Sequence, residues 1–95
     1  MMKKFVLISV GFEMPTPEDM QKWMQWFQNI GNKMTQQVGL MNGKEVTPED
    51  IKDLAMDKLA LTGILTINAE SMDEAVKIAQ ACPAVTSTKV YEVRG

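Results

Sequence analysis

The chain contains no histidine, so any proton transfer must use other side chains. The candidates are Lys58, Glu13 and Tyr91. A helix over residues 51–59 would place Lys58 within an apolar face, where burial would lower its pKa and make it a base or a contact for an anion. The more common alternatives are that its alkyl stem carries the ammonium to water, or that the segment is not helical. Glu13 follows the first strand and Tyr91 lies on the last, so both could point into a cavity. A solvated glutamate and a packed tyrosine are the commoner outcomes.

Cys82 is the single cysteine and the one thiol nucleophile. No histidine can act as its base, and the C-terminal end of a helix raises a thiol pKa rather than lowering it. A buried structural cysteine is therefore the favoured interpretation. One cysteine also excludes an internal disulfide, which favours a reducing, cytoplasmic location.

The two tryptophans differ in their predicted environments. One broad apolar helix face is predicted by the spacing of Met20, Trp23, Met24, Phe27, Ile30 and Met34. Trp23 lies at the centre of this face and is expected in the core. Trp26 lies off the face, so it is a candidate for a dimer interface or a pocket rim, or is simply partly exposed. No catalytic residue is assigned, and the candidate ligand-binding residues are Glu13, Trp23, Trp26, Lys58, Cys82 and Tyr91.

Composition argues against metal, nucleic-acid and membrane partners. Without histidine and with one cysteine, only a carboxylate metal site is conceivable, and the acids cluster at helix starts where capping explains them. The net charge of −2 gives no electrostatic footprint for nucleic acid or an anionic membrane. No segment reaches membrane-spanning length. We expect no metal and no cofactor.

At 95 residues the chain predicts one domain, residues 1–95. Residues 3–10 form a strand that is apolar on both faces. The tetrapeptide Thr16-Pro17-Glu18-Asp19 is typical of a helix start, since threonine caps, proline suits the first turn and acids favour the positive end of the helix dipole. Gly31 and Asn32 mark the expected end of this helix.

The middle of the chain, residues 34–60, carries weaker signals. Residues 34–41 alternate weakly, and Asn42-Gly43 is typical of a two-residue hairpin turn leading into residues 44–46. A second Thr-Pro-Glu-Asp at residues 47–50 predicts another capped helix. Its buried face would consist of Ile51, Leu54, Ala55 and Leu59.

The last third has the clearest boundaries. Residues 61–69 predict a strand, and Ser71-Met72-Asp73-Glu74 predicts a capping box at the start of a helix. Pro83 ends this helix, and residues 87–94 form the last strand. The order β-α-β-(α)-β-α-β predicts an α+β fold, a ferredoxin-like four-stranded antiparallel sheet with its helices on one face.

The first strand is apolar on both faces, but the helices can cover only one face of the sheet. Either a ligand cavity or a second copy of the chain must therefore cover the other face. Homodimerisation through the sheets is the simpler explanation, because an exposed apolar sheet invites aggregation.

The chain resembles the YCII-related family, including its DGPF branch. The most specific match is the block Ala69-Glu70-Ser71-Met72-Asp73-Glu74-Ala75 with Cys82-Pro83. Weaker matches are Lys4-Phe5-Val6-Leu7, Pro15 to Met20 with Trp23-Met24, Gly39-Leu40 with Gly43-Lys44, Gly63 and Glu92-Val93-Arg94. The resemblance implies a dimeric α+β barrel, related in shape to small cofactor-independent isomerases and monooxygenases.

The chain departs from the family pattern at its proposed catalytic residues. Some members carry a histidine–aspartate dyad; here the histidine position falls among residues 18–23, none of which is histidine, and the aspartate position is Cys82. The Asp-Gly-Pro-Phe stretch, expected near residues 51–54, is absent, although Lys58 matches a lysine that commonly follows it. The family's dyad chemistry is therefore not expected.

Three functions remain open from the sequence. The first is a homodimeric protein that binds a small molecule in a pocket by the sheet. The second is a cofactor-independent enzyme that uses Lys58, Glu13 or Tyr91. The third is an accessory interaction domain without a pocket.

Overall fold

Six strands and two helices are present in the computed structural model, which describes residues 2–94. In chain order they are β1 (Lys3–Val10), α1 (Pro17–Ile30), β2 (Met34–Gly39), β3 (Lys44–Val46), β4 (Ile51–Asp53), β5 (Leu61–Ala69), α2 (Met72–Gln80) and β6 (Ser87–Glu92). A 3₁₀ turn, Gly31–Lys33, joins α1 to β2.

Four of the strands form one antiparallel sheet in the order β2-β5-β1-β6. The two central strands, β1 and β5, are non-adjacent in the chain, which is the ferredoxin-like arrangement. The predicted fold class is therefore confirmed.

The two faces of the sheet have different environments. Phe5 and Leu7 of β1 pair with Ile67 and Leu65 of β5, and all four side chains are buried. This face packs against both helices, which contribute Trp26, Ile30, Ala75 and Ala79 to the same core. Each of the largest buried side chains stabilises the fold by roughly 1.5–3 kcal/mol relative to exposure.

Helix α1 begins with a complete capping box. The Thr16 hydroxyl accepts from the Asp19 backbone N–H at 3.2 Å, and the Asp19 carboxylate accepts from the Thr16 N–H at 3.0 Å. Pro17 occupies the first turn, as predicted. The helix ends at Gly31, whose N–H donates to the Phe27 carbonyl.

The predicted environments of the two tryptophans are only partly right: Trp23 packs against the core as expected, but Trp26, expected off the apolar face, is the more buried of the two. Trp26 is buried at 4% exposure, whereas Trp23 is only partly buried. The buried face of α1 is centred nearer Trp26 because Met20 and Met24 point into solvent, at 58% and 61% exposure. The Trp26 indole can be buried because its Nε1–H donates to the Ile78 carbonyl at 3.0 Å.

The helix predicted after Thr47 is absent, because residues 44–53 form a hairpin of β3 and β4. Asp50 donates its N–H to the Thr47 hydroxyl, as a capped helix would require, but Thr47 also donates its N–H to the Asp50 carbonyl. This second bond closes a turn, and the β-branched Val46 and Ile51 pair across it. The predicted hairpin at Asn42-Gly43 is also wrong, since β2 pairs with β5.

Helix α2 begins at the predicted cap, where the Ser71 hydroxyl accepts from the Glu74 N–H at 3.2 Å. The Glu74 carboxylate does not complete the predicted box; it lies 3.5 Å from the Lys33 ammonium. This ion pair joins the start of α2 to the turn after α1.

Two apolar surfaces have no cover within residues 2–94. The sheet face opposite the helices, the open face, carries Val6, Ile8, Val38, Ile64 and Tyr91. Residues 41–55, the arm, contain the β3–β4 hairpin and are exposed throughout. The radius of gyration, 14.4 Å, exceeds the roughly 12 Å typical of a compact domain of this length, which reflects the protruding arm.

Candidate ligand-binding site

Three loops meet at the end of the sheet where β1 finishes. Gly11 and Phe12 of the first loop donate backbone N–H groups to the Ala60 and Asp57 carbonyls of the turn before β5, at 2.7 and 2.8 Å. Thr86, in the loop after α2, donates its N–H to the Val10 carbonyl at 2.9 Å. These bonds hold the loops together although they are far apart in sequence.

Gly11 is the residue that lets these loops approach each other. Its φ is +110°, a conformation that side-chain-bearing residues rarely adopt. A Cβ at this position would lie 2.5 Å from the Thr86 Oγ1 and 2.8 Å from the Thr86 backbone nitrogen. Only glycine fits at this position.

The three loops and the start of α1 enclose a pocket of about 250 Å³, the loop pocket. Its polar side chains are Glu13, Asp19 and Lys58, and its apolar walls include Trp23, Pro83 and Val85. The structure thus brings together three of the sequence-derived candidates, Glu13, Trp23 and Lys58.

Lys58 does not lie on a helix face, because the segment is not helical, which is one of the alternatives that the sequence favoured. It is exposed and occupies a turn that Asp57 organises, with the Asp57 carboxylate accepting from the Leu59 N–H at 2.9 Å. The Lys58 carbonyl accepts from the Thr86 hydroxyl, which fixes the backbone beneath the side chain. In the described part of the chain the ion pairs are Lys33–Glu74 and Lys44–Asp53, so the Lys58 ammonium is free to bind a ligand.

Asp19 is the pocket residue that sequence reasoning did not assign. The Thr16 backbone N–H holds the pKa of the Asp19 carboxyl below its ordinary value, and the Thr16 hydroxyl acts in the same direction. Asp19 is therefore ionised at neutral pH, with one oxygen bound in the cap. Its position three residues after Thr16 was visible in the sequence, but capping accounts for that spacing without any ligand.

The remaining candidates lie elsewhere. Cys82 lies between α2 and β6, where burial raises the pKa of its thiol, and bonds with Thr88, Ser9 and Ala84 only partly oppose the rise. Trp26 is a core residue. Tyr91 pairs with Val6 on the open face, so it cannot act together with Lys58 and Glu13 within one protomer.

Within residues 2–94, no three carboxylate or thiol side chains are close enough together to hold a metal ion. Neither helix of this part of the chain is long and apolar enough to cross a membrane.

Comparison with known proteins supports the fold and no more than the fold. No protein-family model and no curated protein matches the chain. A solved structure does: the 5-chloro-2-hydroxyhydroquinone dehydrochlorinase TftG from Burkholderia phenoliruptrix AC1100, in complex with 2,5-dihydroxybenzoquinone. The two share 15% identity and a TM-score of 0.61, over 96% of this chain and 93% of that one. The chain has a distantly YCII-like fold.

The loop pocket includes one of the two places where the YCII resemblance puts the dyad, and it borders the other. Asp19 and Trp23, from the stretch that would hold the histidine, line the pocket, and so does Pro83, the neighbour of Cys82. Neither position carries the dyad's residue. Cys82 itself lines a different cavity, between α2 and β6.

Proposed function

We propose that this protein binds a small hydroxylated ring compound in the loop pocket. The observation that carries the proposal is that the pocket combines an unpaired ammonium, Lys58, with two carboxylates, Glu13 and Asp19, beside the indole of Trp23. A hydroxyl group can accept from the ammonium and donate to a carboxylate, and a ring can pack on the indole.

The charge balance favours a neutral ligand over an anion. Two carboxylates and one ammonium leave the pocket with a net negative charge, which would repel a ligand carboxylate or phosphate. A neutral hydroxyl group can hydrogen-bond to both the carboxylates and the ammonium, and it adds no charge to the pocket. The volume of about 250 Å³ lies below the usual range for drug-sized ligands, so a single ring is the matching size.

The complex of TftG with 2,5-dihydroxybenzoquinone supports the proposal, because a related fold holds a small ring with hydroxyl groups. Only binding is proposed for this chain. A reaction that uses Lys58, Glu13 and Tyr91 together is disfavoured, since Tyr91 lies on the other face of the sheet.

Hydroquinone, titrated anaerobically into the protein, tests this proposal. We expect saturable binding that weakens at least about threefold in Lys58→Met, because a hydrogen bond to a charged group is lost. Lys52→Met, which removes an exposed lysine from the arm, is the matched control and should bind as the wild type does. Equal dissociation constants for all three proteins would contradict the proposal.

We also propose that two copies of the chain associate through the open face. Val38 and Tyr91 are exposed on this face at 44% and 57%, next to the half-buried Val6, Ile8 and Ile64. Uncovered apolar surface of this kind is typical of an interface.

The arm is expected to contribute to this interface. Four strands of about seven residues span a flat area of roughly 450 Å², whereas a standard interface buries about 800 Å² on each partner. The exposed Val46 and Ile51 of the arm can supply the difference. Light scattering after size exclusion should give a dimer, and Val38→Glu should dissociate it. Gln21→Glu, which adds the same charge at an exposed position of α1 on the other side of the sheet, is the control and should remain a dimer. A wild-type monomer at micromolar concentration would contradict this part.

A further inference from the structure

A second cavity lies between α1 and the sheet, on the β2 side, and shares Trp23 as a wall with the loop pocket. It has a volume of about 200 Å³. None of the residues that line it is charged, and most of its surface is apolar. Its ligand chemistry must therefore differ from that of the loop pocket.

Two glycines create this cavity. Gly39 of β2 and Gly63 of β5 are paired across the sheet, and Gly63 also pairs with Ser9 of β1. Of these three neighbouring residues, only Ser9 has a side chain, and it is small. A Cβ built on Gly39 has no atom within 4 Å, and one built on Gly63 meets only the Val38 carbonyl oxygen, at 3.5 Å.

The glycines are not required by the backbone. Neither has a positive φ, and a strand position normally favours a β-branched or aromatic residue. Their effect is to leave empty the space where larger side chains would pack against α1.

The wall opposite the glycines is aromatic. Trp23 and Phe27 of α1 lie with ring centroids 5.8 Å apart, and Trp26 lies 5.7 Å from Trp23 in an edge-to-face arrangement. Leu7 and Leu65 close the inner end. A flat apolar ring entering this space would contact aromatic and aliphatic surfaces on two sides.

Three uncharged polar residues also line the cavity: Ser9, Gln37 and Thr62. The Thr62 hydroxyl already donates to the Ser9 carbonyl at 3.4 Å. Binding here therefore does not require a ligand charge or a network of hydrogen bonds.

We propose that this glycine-floored cavity is a second binding site, for an uncharged aromatic ring of the size of a substituted benzene. The cavity is open to solvent at Gln37 and Gly39, so a ring can enter, and its volume of about 200 Å³ is large enough for a ring with small substituents. The proposal goes beyond the loop pocket and does not depend on it.

The test uses p-xylene, which has the shape of hydroquinone with methyl groups in place of the hydroxyls. Titration is followed by the indole N–H resonances of the two tryptophans. Wild-type protein should show saturable shifts, and Gly39→Val, which fills the cavity from its floor, should weaken binding at least tenfold. Gln36→Val adds a valine to the same strand on the opposite face and should bind as the wild type does.

The controls separate this proposal from that of the loop pocket. Hydroquinone binding should be weakened by Lys58→Met and unchanged by Gly39→Val. Binding of p-xylene should be unchanged by Lys58→Met and weakened by Gly39→Val. Should Gly39→Val fail to fold, Gly63→Ala provides the same test with less added volume. Absence of saturable p-xylene binding to the wild type, or equal affinity in the cavity-filling variant, overturns the inference.

Discussion

The indole of Trp26 donates a hydrogen bond to the carbonyl of Ile78, at 3.0 Å, and so connects the middle of α1 to the end of α2. Because the Trp26 ring is also buried in the core, one residue provides both apolar burial and the single polar contact that makes burial of the indole favourable.

Trp26→Phe is therefore expected to destabilise the fold. The substitution removes the hydrogen bond, leaves the Ile78 carbonyl without this donor and opens a small void, at a cost of about 1–3 kcal/mol in the free energy of unfolding. Urea denaturation measures the change. Met24→Ala on the exposed face of the same helix should have little effect, and equal destabilisation by both would contradict the assigned environments.

Gly11→Ala should be more destabilising than Gly31→Ala. Both glycines have positive φ, but a Cβ at Gly31 would have no atom within 4 Å, whereas one at Gly11 would collide with the Thr86 backbone. Gly31→Ala measures the cost of the unusual backbone conformation alone, about 1–3 kcal/mol. Gly11→Ala adds to this the displacement of the loop that contains Thr86. Thermal unfolding of the pair tests this order, which a similar loss of stability in both variants would refute.

Most of the fold could be predicted from the sequence because the local signals for helices and strands agree with the final packing. Pro17, Ser71 and Pro83 mark helix boundaries for local reasons, and the apolar runs of β1 and β5 are typical of central strands. The ferredoxin-like order followed from these elements.

The segment after Thr47 could not be assigned in the same way. A threonine three residues before an aspartate makes the same first hydrogen bond in a helix cap and in this turn. A helix forms at such a sequence only when the apolar residues that follow are buried against a core. Ile51 is 65% exposed, so this condition is not met.

The site was partly predictable. The sequence identified Glu13 and Lys58 as candidate ligand-binding residues. Their proximity depends on contacts among three loops, which no local sequence pattern predicts. Trp26 was expected off the apolar face of α1 because Met20 and Met24 were included in that face. Both methionines are exposed, so the buried face lies nearer Trp26.

Asp19 should make stability depend on acid pH. Its pKa is lower in the folded protein than in the unfolded chain, where it is about 3.9. The stabilisation is complete above the unfolded value and is lost as the pH falls through the folded value. Asp19→Asn should therefore lower the urea concentration at the midpoint of unfolding at pH 7, and the difference from the wild type should shrink as the pH falls below the unfolded value. Glu18→Gln, one residue earlier in the same turn, is the control; a pH-independent deficit in Asp19→Asn would contradict this explanation.

Cys82 should affect stability at alkaline pH. Burial raises the pKa of its thiol, so the unfolded chain loses this proton first, near the ordinary thiol pKa of about 8.5. Stability should then fall as the pH rises through this value, because the unfolded state binds fewer protons than the folded state. Comparison of unfolding curves from pH 7 to 10 should show a smaller decline in Cys82→Ala. Parallel declines in the two proteins would show that the thiol does not contribute.

The central claim is that a small hydroxylated ring binds beside Trp23 in the loop pocket. The most direct measurement is the set of intermolecular nuclear Overhauser effects from the ring protons of hydroquinone to the protein. We expect contacts to the indole protons of Trp23 and to the side chain of Val85, which line the same pocket. Contacts to Trp23 and Phe27 without Val85, or contacts only to residues of the arm or the open face, would contradict this proposal.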